Sequence, residues 1–407
     1  MNNTYGFDQN TSAAGILIYG STGSIGLNTL SVIEQHPDRF RIVALTAHSQ
    51  VQRMFEQCLK YHPDYVVLTQ EAAAIQLRMR LKEAQQTIEV LSGTNALQEL
   101  AYLAQVDIVV AAIVGSAGLL PTLAAIRAKK RVLLANKEAL VMAGQFFMDA
   151  LRHYQTILLP VDSEHNAIFQ CLPDGFRCGN QPEGVERIIL TASGGALRDL
   201  PIRALEHATP QQACQHPTWI MGSKISVDSA TLMNKGFELI EAYWLFNLSL
   251  SKIEILIHPQ SVIHSLVGYL DGSLLAQLAN PDMRIPIAYC LAWPQRIAHR
   301  VPACDLLAYG KLEFKAVDTR RYPCLNLAYE AIRIGGNAAT ILNAANEVAV
   351  QAFLDQRIVF TQIAQINQTV LERLPYREIS ELELILEEDR LARETALSIL
   401  AQQFSVV

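Results

Sequence analysis

Short apolar runs alternate with amphipathic segments through the N-terminal part of the chain. Helices are predicted at 27–36, which Pro37 ends, and at 119–128, because apolar residues recur there at helical spacing. Buried parallel strands are predicted at 15–19, 41–45, 106–112 and 131–135. Strands that alternate with helices are typical of a doubly wound, Rossmann-type parallel sheet, so the fold class is α/β.

The pattern changes in the second half of the chain. After a strand at 187–190 and a helix at 234–246, a proline-containing connection at 294–318 precedes helices at 325–334 and 338–355, with further periodic segments up to about Phe404. We therefore predict a disordered tail at 1–14, a Rossmann-like nucleotide-binding domain at 15–161, a central α/β catalytic domain at 162–292, a linker at 293–318 and a C-terminal helical bundle at 319–407.

Composition narrows the function classes. The chain has 407 residues, enough for two or three domains, and its net charge of −6, without a basic run, argues against a nucleic-acid partner. No apolar run approaches the roughly 18 residues of a membrane span, so no membrane partner is expected. The seven cysteines are odd in number and form no CxxC motif, which favours reduced thiols and a cytoplasmic location.

Three glycines follow the first predicted strand in a GxxGxxG pattern: Gly20, Gly23 and Gly26. Glycines here let the backbone turn tightly and approach a pyrophosphate, which the amides at the next helix start would bind. A glycine triplet at a strand exit can also be a simple turn, but its position between strand and helix favours a dinucleotide. The second strand leads into His48-Ser49-Gln50 without an acid for a ribose diol, which favours NADP over NAD.

Asn136, Lys137 and Glu138 follow the strand at 131–135, where a doubly wound sheet binds its ligands. Helix capping is an alternative explanation for two of them: Asn136 would be the N-cap, and Glu138 would lie in the first helical turn. Lys137 opposes the helix dipole at this position. We therefore predict a ligand-binding role for Lys137.

Asp162 and Glu164 form an acidic pair after the apolar residues 158–161. On a strand, positions two apart point to the same face, so both side chains could bind one cation, and Glu238 could supply a third carboxylate. Oxygen ligands favour Mg²⁺ or Mn²⁺ over zinc. The alternative is an ordinary solvated strand edge.

Small polar residues cluster in two later segments. The turn at 191–195 contains Ser193, and Ser229, Asn234 and Lys235 follow further on, so that one charge and several neutral donors suit a phosphomonoester. For any single serine, capping or turn chemistry is the simpler explanation. The predicted helix at 234–246 places Asn234 and Glu238 on one face.

Two further segments have open interpretations. The segment at 210–221 has the length of a lid that excludes water, with Trp219 closing over a ligand, but Trp219 could instead be a core residue, which is the commoner position of a tryptophan. Asn343, Asn346 and Glu347 in the C-terminal part could form a site, but interhelical hydrogen bonds explain them better.

Six segments together resemble the 1-deoxy-D-xylulose 5-phosphate reductoisomerase family. The resemblance covers nearly the whole chain after the tail, and such long, ordered motifs are far more specific than a glycine fingerprint. The segments are 20–26, 134–138, 160–170, 227–236, 257–265 and 321–325.

The resemblance implies an NADPH- and metal-dependent enzyme that isomerises and reduces 1-deoxy-D-xylulose 5-phosphate to 2-C-methyl-D-erythritol 4-phosphate, in the non-mevalonate isoprenoid pathway. Its partner is a small sugar phosphate, and a homodimer is the family expectation. The implied metal ligands are Asp162, Glu164 and Glu238. The implied substrate contacts are Lys137, Ser163, Ser193, His216, Trp219, Met221, Ser229, Asn234 and Lys235, besides Glu164 and Glu238. The implied NADPH contacts are Thr22, Gly23, Ser24, Ile25, Ser49, Gln50, Asn136, Glu138 and Gly222.

The chain departs from the family pattern at 48–50, which bears on the choice between NADPH and NADH, and at Leu197, where the family often has phenylalanine. Two other hypotheses compete with this function. A metal-independent NADP-linked dehydrogenase would need a catalytic cysteine or a Lys/Tyr acid. A nucleotide-sensing regulator would need a basic helix-turn-helix, and the sequence has no evident one.

Overall fold

A computed structural model describes residues 13–219 and 221–403. The chain divides into two compact units, each described here separately. The described residues of the first unit are 13–139, 147–166 and 282–302. Those of the second are 140–146, 167–219, 221–281 and 303–403. The domain boundaries predicted from the sequence stay predictions, and the predicted tail lies outside the described residues except for Ala13 and Ala14.

The first unit contains a seven-stranded parallel sheet in the order β4-β3-β2-β1-β5-β6-β7. The strands are β1 Ala14–Tyr19, β2 Phe40–Ala47, β3 Tyr65–Leu68, β4 Glu89–Ser92, β5 Ile108–Ala111, β6 Arg131–Leu134 and β7 Leu158–Pro160. The helices that follow them along the chain are α1 Ser24–Ile33, α2 Val51–Tyr61, α3 Glu71–Glu83, α4 Thr94–Ala101, α5 Leu119–Arg127, α6 Lys137–Tyr154 and α7 Ser163–Cys171. Residues 140–146 of helix α6 belong to the second unit, and so do the residues of α7 from Ala167 onward.

Strand β1 is the central strand of this sheet, and it is completely buried. It pairs in parallel with β2 on one side and β5 on the other, so the strand order reverses at β1. The carboxyl end of β1 is therefore the topological switch point where doubly wound sheets bind ligands. The predicted Rossmann-type fold is confirmed.

Helix α1 begins at Ser24, three residues before the predicted start at Leu27. Gly23 is its N-cap in an extended conformation, with φ −82° and ψ 176°. The last glycine of the pattern, Gly26, thus lies in the first helical turn and not in the turn before the helix. A side chain there would meet the loop, because a Cβ at Gly26 would lie 2.4 Å from the Cα atom of Ser21.

The prediction that Asp162 and Glu164 lie on a strand is wrong. Strand β7 ends at Pro160 and α7 begins at Ser163, with Glu164 in its first turn. The backbone amide of Asn166 donates to the carbonyl of Asp162 at 2.8 Å, which is a helical bond across four residues. Asp162 therefore lies at a helix start, where a short acidic side chain is favoured.

The second unit contains a five-stranded sheet in the order β11-β10-β8-β9-β12. Strand β8 pairs in parallel with β9 and antiparallel with β10. The strands are β8 Val185–Ala192, β9 Ile253–Ile257, β10 Ile263–Tyr269, β11 Leu274–Leu278 and β12 Lys315–Ala316. The helices that complete the chain are α8 Pro210–Cys214, α9 Ser223–Thr231, α10 Met233–Phe246, α11 Arg284–Ala292 in the first unit, α12 Leu306–Tyr309, α13 Pro323–Ile334, α14 Ala338–Leu354, α15 Gln362–Arg373 and α16 Leu382–Gln403.

Helices α13 to α16 pack around one apolar core that includes Phe353 and Ile341, which confirms the predicted C-terminal helical arrangement. The buried polar side chains in this core hold helices together. Asn346 donates to Asp228 on α9 at 2.7 Å and accepts from Asn367 on α15 at 3.0 Å. Arg393 of α16 donates to Glu347 at 2.6 Å. The interhelical interpretation is thus confirmed for Asn346 and Glu347, whereas Asn343 donates to Glu347 within α14 at 3.3 Å.

Two elements lie inside the predicted linker at 293–318. Helix α12 is one, and the short strand β12 pairs with β9 at the edge of the second sheet. None of the helices that the structure describes is both long and apolar enough to cross a membrane.

We predict that Gly26→Ala destabilises the protein. Helix propensity alone would make alanine more favourable than glycine by up to about 1 kcal/mol. The added Cβ, however, would lie 2.5 Å from the Gly20 carbonyl oxygen as well as near Ser21, so the backbone must shift. We expect a net loss of about 1–3 kcal/mol, seen as a lower midpoint of thermal unfolding by circular dichroism. A midpoint at or above that of the unsubstituted protein would show that the turn accommodates a side chain.

Candidate active site

The turn between β1 and α1 has the properties of an anion-binding loop. Gly20 adopts a φ of +77°, and a Cβ there would lie 2.6 Å from the Ala112 carbonyl oxygen, so glycine is required. Among the described residues, no side chain caps α1, and its first turn contains no acidic residue. The first amides of α1 therefore face outward with the positive end of the helix dipole, as phosphate groups require.

Two residues that the sequence analysis did not identify hold this turn. Arg53 donates from Nη1 to the carbonyl of Thr22 at 2.8 Å, and Gln57 donates from Nε2 to the carbonyl of Ser21 at 2.9 Å. Gln57 also accepts from the Ser21 hydroxyl at 2.7 Å. Both residues lie on α2, four positions apart and so on one helical face. The spacing of these two residues can be read from the sequence, but the carbonyl groups that they bind cannot.

Asn136 connects two segments at the carboxyl edge of the sheet. Its Oδ1 accepts from the Ala139 amide at 3.1 Å, which caps α6 as the sequence predicted. Its Nδ2 donates to the carbonyl of Gly115 at 3.0 Å, in the segment after β5. The side chain is only 2% exposed, so both of its bonds lie away from solvent.

Lys137 and Asp162 form a buried ion pair, with 2.6 Å between Nζ and Oδ2. Burial alone would raise the pKa of Asp162, but the ammonium of Lys137 and the neighbouring His165 together lower it well below its usual range. The same oxygen, Asp162 Oδ2, lies 3.6 Å from Nδ1 of His165. The carboxylate is thus held in its ionised form beside a fixed positive charge.

Ser163 contacts both of the neighbouring acids. Its amide donates to Oδ1 of Asp162 at 3.2 Å, and its hydroxyl donates to Oε2 of Glu164 at 2.6 Å. The predicted residues Lys137, Asp162, Ser163 and Glu164 therefore lie together in the first unit. Three charged groups and one hydroxyl within a few residues of a helix start can bind a cation and a polar ligand.

The second unit brings Ser193, His216 and Ser229 together. Ser193 Oγ lies 2.7 Å from Nε2 of His216 and 3.5 Å from Oγ of Ser229. The amide of Trp219 donates to Nδ1 of His216 at 2.9 Å, so in the neutral ring Nε2 carries the hydrogen and donates to Ser193. That assignment leaves the Ser193 hydroxyl hydrogen able to point to a ligand.

Trp219 itself is half-buried, with its ring centroid 6.1 Å from that of His264. Met221 is also half-buried, and Gly222 is the N-cap of α9. The lid role of Trp219 stays a prediction.

Asn234, Lys235 and Glu238 form a second group in the same unit. Both Asn234 Nδ2 and Lys235 Nζ donate to the carboxylate of Glu238, from the positions four and three residues before it on α10. The predicted common face is confirmed. Lys235 is 3% exposed and Glu238 1%, so the ammonium supplies the charge that a buried carboxylate requires.

These features define the class to which the protein belongs. The glycine turn lies at the switch point of a doubly wound sheet and suits a dinucleotide. The protein also has a cluster of acids beside a lysine and a group of donors that suit a phosphate. Together these features are typical of a dinucleotide-dependent enzyme that acts on a phosphorylated substrate.

Comparison with known families identifies the protein more closely. Residues 16–144 match the family described as 1-deoxy-D-xylulose 5-phosphate reductoisomerase, and residues 158–246 and 278–395 match two C-terminal domains of the same enzyme. The reductoisomerase of Nitrosomonas europaea is 54% identical over 391 residues, 96% of this chain and 95% of that protein. The one from Dechloromonas aromatica is 55% identical over 388 residues, 95% of this chain and 98% of that protein.

Solved structures agree with these matches. The Zymomonas mobilis reductoisomerase in complex with NADPH has a TM-score of 0.89 and 45% identity, covering 96% of this chain and 100% of that one. A reductoisomerase in complex with NADPH, fosmidomycin and magnesium also has a TM-score of 0.89, with 44% identity, covering 96% of this chain and 99% of that one. The chain belongs to the 1-deoxy-D-xylulose 5-phosphate reductoisomerase family. It is an oxidoreductase that isomerises and reduces this ketose phosphate to 2-C-methyl-D-erythritol 4-phosphate in isoprenoid biosynthesis.

We predict that Asn136→Ala destabilises the protein by about 1–3 kcal/mol, because the change removes the cap of α6 and the donor to Gly115 together. The midpoint of thermal unfolding measures the loss. Gln70→Ala is the matched control, since Gln70 is the N-cap of α3 but makes no side-chain cap hydrogen bond. Equal midpoints for the two variants would contradict a structural role for the Asn136 amide.

Proposed function

We propose that this chain uses NADPH and one divalent cation, Mg²⁺ or Mn²⁺, and that Asp162, Glu164 and Glu238 are the metal ligands. The observation that carries the proposal is the Asp162 carboxylate, which Lys137 keeps ionised and which Ser163 links to the neighbouring carboxylate of Glu164. A hard cation requires oxygen donors of this kind. The related structure that contains NADPH, fosmidomycin and magnesium supports the same pair of cofactors.

The bound NADPH would lie on the turn before α1, whose amides and glycine conformations fit a pyrophosphate. Arg53 adds a positive charge beside this turn through its bond to Thr22. The proposed NADPH contacts remain Thr22, Gly23, Ser24, Ile25, Ser49, Gln50, Asn136, Glu138 and Gly222. Asn136 acts by holding the Gly115 segment, and the sequence His48-Ser49-Gln50 contains no carboxylate where an NAD enzyme would have an acid.

The bound cation supplies Lewis acidity, which stabilises the negative charge that develops on substrate oxygens during rearrangement next to a carbonyl. Lys137 provides a second positive charge at the same place, because its ion pair with Asp162 keeps the ammonium at the carboxyl edge of the sheet. Ser163 orients both acids through its amide and hydroxyl. The catalytic set is then Lys137, Asp162, Glu164, Glu238 and His216.

The substrate phosphate would bind to Ser193, Ser229, Asn234 and Lys235, with His216 orienting the Ser193 hydroxyl. Both Asn234 and Lys235 donate to Glu238, and Lys235 has three donor hydrogens, so it can bind a phosphate oxygen and this carboxylate together. Trp219 and Met221 would cover the bound substrate and exclude water. The phosphate lies away from the reacting carbons, so its binding energy can orient them.

A cytoplasmic location and a homodimer complete the proposal. The location rests on the cysteine composition, and the homodimer is the expectation for the family. Sedimentation analysis of the purified chain would test the homodimer.

We predict that EDTA abolishes NADPH oxidation with 1-deoxy-D-xylulose 5-phosphate, because it removes the cation proposed to supply the Lewis acidity. Added Mg²⁺ or Mn²⁺ should restore the rate, measured as the absorbance of NADPH. Turnover that persists after complete metal removal would instead support a metal-independent dehydrogenase.

We predict that Glu238→Gln lowers kcat by at least about 100-fold, since an uncharged amide binds a hard cation poorly. NADPH affinity, measured by fluorescence titration, should stay nearly unchanged. The control is Glu388→Gln, which neutralises another carboxylate that is 2% exposed and is held by Asn337 and Arg377 among the C-terminal helices. This control should affect stability but not the concentration of metal needed for activity. Parallel loss of turnover and NADPH binding in Glu238→Gln would mean that the residue is structural.

A further inference from the structure

Arg321 and Tyr322 belong to the segment 321–325 that resembles the family, yet the proposed mechanism gives them no role. Both donate to carbonyl groups of the loop between β8 and the 3-10 helix that begins at Ile202. Tyr322 donates from its hydroxyl to the Gly194 carbonyl at 3.0 Å. Arg321 donates from Nη1 to the Leu197 carbonyl at 3.1 Å and from Nη2 to the Leu200 carbonyl. All of these groups lie in the second unit.

The other carbonyls at the start of this loop are bound by Arg198. Its Nη1 donates to the Ser193 carbonyl at 2.8 Å, and its backbone amide lies 3.5 Å from the Gly195 carbonyl. The carbonyls of Ser193, Gly194, Leu197 and Leu200 thus all have side-chain donors. These four carbonyl oxygens of the loop therefore point toward the side chains that bind them.

The loop needs such donors because its own backbone does not determine its orientation. Gly194 and Gly195 have φ values of +83° and +72°, a region that glycine enters freely and other residues rarely adopt. Glycine is equally stable in several other conformations, so the peptide after Gly194 could rotate. A rotated carbonyl would present its negative end to a phosphate, whereas the observed orientation keeps the carbonyl on the side of Tyr322.

The loop also lies directly against α9, which carries Ser229. A Cβ added to Gly195 would lie 2.5 Å from the Cα of Ala230 and 2.6 Å from the carbonyl oxygen of Ser229. There is no room between the loop and the helix. A shift of the loop therefore changes the position of Ser193 relative to Ser229.

We propose that Arg321 and Tyr322 are positioning residues for substrate phosphate: they bind the carbonyls of the 193–200 loop so that Ser193 presents its hydroxyl to the phosphate. This inference rests on the proposed phosphate role of Ser193. Neither residue touches the substrate. Tyr322 is 4% exposed, and its hydroxyl reaches the loop from the side of the helix α13.

The test uses the full-length enzyme with its metal and measures three quantities: the KM for 1-deoxy-D-xylulose 5-phosphate, the inhibition constant of inorganic phosphate as a competitor, and the KM for NADPH. For Tyr322→Phe we expect the first two to rise together by about 5- to 10-fold, the effect of one neutral hydrogen bond. For Arg321→Ala we expect about 10- to 100-fold, because its donors are charged. The KM for NADPH should stay the same in both.

Arg321→Lys separates positioning from charge. A lysine keeps the positive charge near the loop but cannot donate to two carbonyls as the planar guanidinium does. We expect this variant to remain closer to Arg321→Ala than to the unsubstituted enzyme. Full recovery with lysine would mean that Arg321 acts only through its charge, which would overturn its positioning role.

Two neighbours provide matched controls. Arg320→Ala removes the same charge one position away, from a side chain that is 84% exposed and pairs with Asp318. Tyr329→Phe removes a hydroxyl from a tyrosine packed against the same small core as Tyr322. Neither control should change any of the three constants, and the thermal midpoints of all variants show whether each one folds.

Ser193→Ala distinguishes the failure of this inference from the failure of the proposed function. If Ser193→Ala raises the KM for substrate and the inhibition constant of phosphate but Tyr322→Phe does not, the positioning role is overturned and the phosphate site stands. If neither variant changes these constants, the phosphate site and the positioning role both fail. Parallel increases in both variants, with NADPH unaffected, support the inference.

Discussion

The parallel pairing of β5, β6 and β7 is the constraint on which the first half of the site depends. Ala111 pairs with Leu134, and Leu134 pairs with Pro160, so these three strands end at the same level. The residues that follow each strand are therefore brought to one edge although they are distant in sequence. That alignment lets Asn136 reach the Gly115 carbonyl and lets Lys137 reach Asp162 at 2.6 Å. A register shift between β5 and β6 would break the first contact, and one between β6 and β7 would break the second.

Much of this architecture could be predicted, because buried parallel strands appear in a sequence as short apolar runs bounded by polar residues. The order of strand, glycine turn and helix also identified the switch point, and helix spacing placed Asn234 and Glu238 on one face. The error at Asp162 has a simple cause: an acid two residues before another fits a strand face and a helix start equally well. In the structure Asp162 precedes the first residue of α7, Ser163, and its side chain accepts from the Ser163 amide.

What could not be predicted is contact between segments distant in sequence. The bonds from Arg53 to Thr22 and from Tyr322 to Gly194 join positions whose separation carries no local pattern. Contacts of this kind hold both proposed phosphate-binding loops, the turn before α1 and the loop at 193–200. Each contains glycines whose torsional freedom lets the backbone approach a ligand, and each has carbonyls held by side chains from a segment distant in sequence. Such loops combine close approach with a definite orientation, and the orienting residues are found only in the folded structure.

The buried hydroxyl of Tyr322 has a consequence for how the protein responds to acidity. Burial raises the pKa of Tyr322 to about 12, although the nearby Arg321 and Arg198 oppose the change. The hydroxyl therefore keeps its proton across the whole neutral range and donates to Gly194 throughout. A phosphomonoester, by contrast, takes up its second proton near pH 6. Any change in substrate affinity in that range therefore originates in the ligand or in groups other than this tyrosine.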